Sequence, residues 1–213
     1  MKIQALGAIG ASVVLASSAG ASLRITEAMS QSGTGGTPDW FEVTNYGTSA
    51  VDLTGYRMDD GSFSFASSVA LLGITSIGAG ESVIFVEGAS SVVATFQGFW
   101  GGLSGVQVGS YSGSGVSFSS SGDGVVLFNS AGTQMTAEAT FGPATSGSSF
   151  YFDLAPNNAG IVSTVGTIGS QVTFATTGSV VNIGSLGTAI GIPAPGAVAL
   201  LGVAGLVGGR RRR

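Results

Sequence analysis

The sequence predicts an all-β sandwich or barrel carrying one short helix, and three observations lead there. Of 213 residues, 37 are Gly, and Gly destabilises helix interiors. Hydrophobic residues make up 44% of the chain, too much for global disorder. Short apolar or alternating runs, separated by turn residues, recur through the middle of the chain, as they do in sandwiches and barrels. No repeat of fixed period is present, which argues against a solenoid or propeller. The length suits one domain with a core large enough to fold unaided.

From the N-terminus, Lys2 supplies a positive charge and residues 3–16 are mostly apolar and uncharged. Ala19-Gly20-Ala21 offers the small residues of a cleavage site. This order predicts a signal helix over residues 1–21, cut after Ala21. Strands are expected at 23–29, 39–46, 51–53, 56–59 and 82–87, with turn residues at 32–38, 47–49, 60–61 and 78–80. In residues 90–100, Val92, Val93, Phe96, Phe99 and Trp100 recur at helical spacing. That predicts a short helix packed over one end of the sandwich. Its Phe96, Phe99 and Trp100 read as core rather than as a ligand platform.

Residues 101–124 are rich in Gly and Ser, but Val106, Val108, Val116 and Phe118 favour an ordered long loop or edge strand. A strand is expected over 124–129, whose Val125, Val126, Leu127 and Phe128 are apolar on both faces, as expected inside a sheet. Across a short loop lies 134–141, where Met135, Ala137, Ala139 and Phe141 alternate with Thr136, Glu138 and Thr140. This period-two pattern predicts a strand with one buried face. Further strands are expected at 150–153 and 172–175, and residues 154–191 read as peripheral strands followed by a linker. The chain then runs through Pro193-Ala194-Pro195 and an apolar stretch at 196–209 to Arg210, Arg211, Arg212 and Arg213. A hydrophobic helix is expected there, marginal in length for a membrane span, with the arginines at the cytoplasmic face.

The tail resembles the PEP-CTERM sorting signal of exopolysaccharide-producing Gram-negative bacteria. It has the three parts in order, with Ala194 where the usual middle Glu would stand. The resemblance implies transient anchoring in the membrane through residues 192–213 and cleavage by an exosortase-like protease near Pro193, Ala194 and Pro195. Residues 22–153, with a possible extension to 190, carry a second resemblance. Asp39-Trp40-Phe41-Glu42-Val43-Thr44-Asn45 is followed by Leu53-Thr54-Gly55-Tyr56, Asp59-Asp60 and Gly80-Glu81-Ser82-Val83-Ile84-Phe85. Gly122-Asp123-Gly124-Val125-Val126-Leu127-Phe128 and the closing turn Gly184-Ser185-Leu186-Gly187 come later. This order is similar to the lamin tail domain of bacterial secreted proteins, with Tyr56 in place of Trp and Leu186 in place of Pro. It implies an immunoglobulin-like β-sandwich and little about chemistry, since such folds host many functions.

Composition narrows the chemistry further. There is no Cys and no His. Disulfide scaffolds, thiol nucleophiles, Ser-His-Asp triads and most zinc sites are therefore excluded. Without residues 1–21 and the tail, Arg24 and Arg57 remain against all 11 acidic residues, a net charge of −9. Such a body does not bind nucleic acid through phosphate neutralisation. Carboxylates are its only ionisable candidates. Glu27, Asp39, Glu42, Asp59 and Asp60 are expected near one edge if the early strands pair. Asp39, Glu42, Asp59 and Asp60 are weak candidates for calcium, which takes six to eight oxygens, although no calcium-loop motif is present. Structural readings compete: Asp39 and Asp59-Asp60-Gly61 suit turns, and Glu42 can pair with Arg24 or Arg57.

The expected function is that of an exported, non-enzymatic cell-surface or matrix protein without a cofactor. Its expected partners are Sec-type export machinery, an exosortase-like protease, and exopolysaccharide or other surface proteins. The alternatives are a calcium- or carbohydrate-binding module, with Tyr46, Tyr56, Tyr111 or Tyr151 as stacking surfaces, and a glycosidase using a carboxylate pair such as Glu42 and Asp59.

Overall fold

In a computed structural model of the chain, residues 22–33, 36–101, 103–152, 159–163, 172–175 and 181–189 are described. The expected terminal helices, with Ala19, Ala21, Pro193, Ala194, Pro195 and the four terminal arginines, lie outside them. Among the described residues, no helix is long and apolar enough to cross a membrane.

Fourteen strands and one helix are described. They are β1 (Leu23–Met29), β2 (Trp40–Asn45), β3 (Val51–Asp52), β4 (Arg57–Asp59), β5 (Val69–Leu72), β6 (Ser76–Ile77), β7 (Ser82–Glu87), α1 (Val92–Phe99), β8 (Val108–Tyr111), β9 (Asp123–Phe128), β10 (Ala139–Phe141), β11 (Phe150–Phe152), β12 (Gly160–Val162), β13 (Val172–Ala175) and β14 (Val181–Gly184). Ten strands form one sheet in the order β10-β9-β4-β5-β8-β7-β2-β1-β11-β12. A parallel bridge between Thr140 and Ala159 joins its two ends. The sheet thus rolls into an immunoglobulin-like sandwich whose edges meet, leaving little unpaired edge exposed.

Alternation along β2 and β7 builds two cores. Phe41, Val43, Val83 and Phe85 point into the sandwich, where they join Ile25, Met58, Tyr111, Leu127 and Phe150. Trp40, Ile84 and Val86 point outward and are covered by Phe96, Trp100, Leu103 and Leu186. The helix follows from the topology. β7 and β8 are parallel, and parallel neighbours require a long crossover, usually a helix. That crossover lays α1 over the outer face of the sheet rather than over one end of it.

Two other expectations change. β8 is neither loop nor edge; it lies between β5 and β7. Gly109 permits this, because a Cβ there would stand 2.4 Å from the Leu72 carbonyl oxygen. The Gly that makes the segment read as a loop is what lets the strands approach. The strand expected over 134–141 is paired only at Ala139–Phe141, apart from a single bridge at Gln134. Thr136 interrupts it by turning inward, and its Oγ1 accepts the Leu127 N–H at 3.1 Å.

Candidate functional site

The carboxylates fall into three separate groups, each built by different elements. The first lies on the outer face of the sheet. Glu27 and Glu42 are cross-strand partners on β1 and β2, and a register shift between Ile25 and Glu27 marks a bulge in β1. The bulge lets Thr26 as well as Glu27 address Glu42. The Thr26 hydroxyl donates to Glu42 Oε1 at 2.6 Å, and the Gly187 N–H donates to Oε2 at 2.5 Å. Glu27 is more fully engaged. The Ser185 N–H reaches both its oxygens at 2.9 and 3.0 Å, the Ser185 hydroxyl donates at 2.9 Å, and Ser149 Oγ donates to Oε1. Glu27 and Glu42 are 0% and 1% exposed. Burial, then the negative charge of Glu42, pushes the Glu27 carboxyl up to about 8. Burial lifts Glu42 to about 7 against the hydrogen bonds from Thr26 and Gly187. Such a pair holds a proton near neutral pH.

The second group closes one end of the sandwich. Three successive backbone N–H groups in the loop before β9 are each taken by an aspartate from a different element. Ser117 N–H donates to Asp60 Oδ2 at 3.4 Å, Phe118 N–H donates to Asp39, and Ser119 N–H donates to Asp123 Oδ2 at 2.6 Å. Asp123 Oδ1 also accepts the Gly61 and Gly124 N–H groups, each at 2.8 Å. Asp39 stands beside Glu87, whose N–H donates to the Asp39 carbonyl at 2.8 Å. Burial and the Glu87 charge push the Asp39 carboxyl up to about 7. Asp60 is raised by burial as well. This cluster straps a loop across the open end of the interior.

Asp59 forms the third group. It is fully buried and gathers the following turn, accepting from Ser62 Oγ at 2.5 Å, the Ser64 N–H at 2.7 Å and Ser67 Oγ at 3.0 Å.

The expected convergence of Glu27, Asp39, Glu42, Asp59 and Asp60 on one edge is therefore corrected. Asp39 and Asp60 share the strapped loop, Asp59 serves its own turn, and Glu27 and Glu42 face the outer side. Among the described residues, no three acidic side chains lie close enough to hold a metal ion. The partners of Glu42 are Thr26 and Gly187 rather than an arginine. Arg57 instead donates through Nε to Ser68 Oγ at 2.8 Å, and its guanidinium stands 5.8 Å from the Phe65 ring centroid. Of the four tyrosines considered as stacking surfaces, Tyr56 and Tyr111 are buried in the inner core, while Tyr46 and Tyr151 are half-buried. Sequence reasoning missed Asp123, Glu87, Ser149 and Ser185 as functional neighbours. Asp123 and Ser185 stand in motifs that carried the resemblance, at 122–128 and 184–187.

A family model described as Lamin Tail Domain matches residues 16–142, more than half of the chain. The chain belongs to the lamin tail domain family. No curated protein and no solved structure matches it. Both members of the buried pair and all three loop-strapping aspartates lie inside the lamin tail match. Ser149, Ser185 and Gly187, which hydrogen-bond the pair, lie beyond it. A lamin tail domain of this immunoglobulin-like form is the fold of a structural or binding module.

Proposed function

We propose that this chain is an exported, non-enzymatic protein of the cell surface or extracellular matrix, with its lamin tail domain as a structural or binding module. Sec-type machinery exports it, and an exosortase-like protease removes the tail after Pro195. One observation supports the non-enzymatic part: the buried carboxylates Glu27, Glu42 and Asp59 hydrogen-bond the protein's own backbone and hydroxyls. The order of charge, apolar run and small residues in 1–21, and of prolines, apolar run and arginines in 192–213, supports export and sorting.

The test is intact-mass spectrometry of the protein recovered from its native cells, together with surface shaving by protease. Loss of residues 1–21 and of the tail from a shaved, surface-exposed species is the expected result. A full-length mass confined to the cytosol sinks the proposal. Calcium-dependent melting would favour the calcium-binding alternative instead.

A further inference from the structure

Among the described residues the Glu27–Glu42 pair has no basic hydrogen-bond donor, and the chain segment that buries it returns from far along the sequence. Residues 181–188 cross the outer face of β1 and β2. Ser185 and Gly187 supply the donors already described, and Leu186 fills the outer core beside Trp40, Ile84 and Trp100. Among the described residues its other attachments lie at its first half. Ile183 exchanges backbone hydrogen bonds with Gly147 and Ser149 at 2.7 and 3.0 Å, Asn182 Oδ1 accepts the Gly33 N–H at 2.9 Å, and β14 pairs with β13. β1 and β2, in contrast, are each paired on both sides in the main sheet.

We propose that residues 181–188 form a proton-locked strap, closed over the outer face while the Glu27–Glu42 pair keeps a proton and lifted when the pair is fully ionised. Two unneutralised charges side by side in a buried site are costly, and water relieves them. The strap is the element whose departure admits that water, because β1 and β2 are held by the sheet. The strap itself carries no ionisable side chain. The other ionisable groups on the elements around the pair are Arg24 on β1, Asp39 and Tyr46 flanking β2, Glu81 and Glu87 at the ends of β7, and Tyr151 on β11. Arg24 acts on Tyr46 rather than on the pair, and the hydrogen-bond partners of Glu81 are the Gly78 N–H and the Gln107 side chain. Asp39 and Glu87 stand three residues along from Glu42 and from its cross-strand partner Ile84, and strand alternation puts them on the inner side with Phe41 and Phe85.

The sign follows from which state holds more protons. The closed state keeps a proton that the open, water-exposed pair releases at ordinary carboxylate pH. Closure is therefore favoured in acid and weakens as pH rises through neutrality.

The chain has no Cys, so Thr188→Cys in the full-length protein takes a single bimane label. Thr188 and Trp100 line the same cavity of about 430 Å³, and contact with Trp quenches bimane. The expected result is quenched emission near pH 6 and a several-fold rise by about pH 9, with Glu42→Gln abolishing the rise because it mimics the protonated acid. Constant emission, or an undiminished rise in Glu42→Gln, overturns the proposal. If that variant does not fold, Glu-selective carbon-13 carboxyl titration of the unsubstituted protein decides. A glutamate midpoint at or above neutrality supports the strap, and all midpoints in the ordinary carboxylate range refute it.

Discussion

Single residues decide whether the strap fits. Gly187 has φ +78°, and a Cβ there would meet Val106 Cγ2 at 2.5 Å. Gly105 has almost the same φ, +80°, but nothing stands within 4 Å of its Cβ position. Gly105→Ala therefore measures the backbone strain alone, about 1 kcal/mol. Gly187→Ala adds the clash and displaces the N–H that Glu42 accepts, so it should cost about 2–3 kcal/mol in denaturant melts. Equal losses for the two would show that strap contact contributes nothing. Glu42 was legible in the sequence as a carboxylate between apolar neighbours, which marks a buried acid. Its surroundings were not, because Gly187 lies 145 residues away and no local pattern encodes such a contact. The arginine partner failed for a related reason: both arginines were the only cations at hand, but Arg57 was already engaged by Ser68 on its own hairpin.

At the level of elements, α1 shows how tertiary packing overrides local preference. It has eight residues, no side-chain cap, no acidic residue in its first turn and no basic residue in its last. Alone it would not form. It persists because Phe96 is fully buried against Trp40 and Trp100, with ring centroids 6.2 Å from each. Phe96→Ala should thus cost about 3–5 kcal/mol, whereas Ala94→Gly on the exposed side should cost about 1 kcal/mol. Loss of helical circular dichroism before global melting in Phe96→Ala would mark α1 as held by this contact; unchanged stability would refute it. The helix was legible because its apolar spacing switched from two to 3.6. β1 and β7 were legible at their full bounds, β7 as an apolar run after a Gly turn and β1 as apolar Leu23 and Ile25 alternating with polar neighbours. β5 and β6 were missed because they are short and half exposed. β8 was hidden by Gly109, and the strand over 134–141 was overextended because alternation says nothing about the inward turn of Thr136.

For the whole molecule, the raised carboxyls set the pH profile of stability. Glu27 at about 8, Glu42 at about 7 and Asp39 at about 7 all sit above their unfolded values. Between about pH 4 and pH 8 the folded protein therefore binds more protons than the unfolded chain, and stability falls as pH rises. The contribution is complete below the unfolded carboxylate values and is lost through pH 7 to 8. The net charge of −9 on the body without its two ends acts in the same direction, because self-repulsion grows as the last protons leave. Asp52, which is lowered, is fully exposed and opposes this trend only weakly. The melting temperature should be highest near about pH 4 and drop by roughly 5–10 °C by about pH 9. The two carboxylate groups separate by mutation. Asp39→Asn should flatten part of the profile while leaving the bimane transition of the strap intact, because Asp39 answers to Glu87 and the Phe118 N–H rather than to Ser185. Glu42→Gln should flatten the profile and abolish that transition together. A melting temperature that climbs from pH 5 to pH 9 would mean that the hydrogen bonds at these carboxylates outweigh their burial, and would remove the basis for both effects at once.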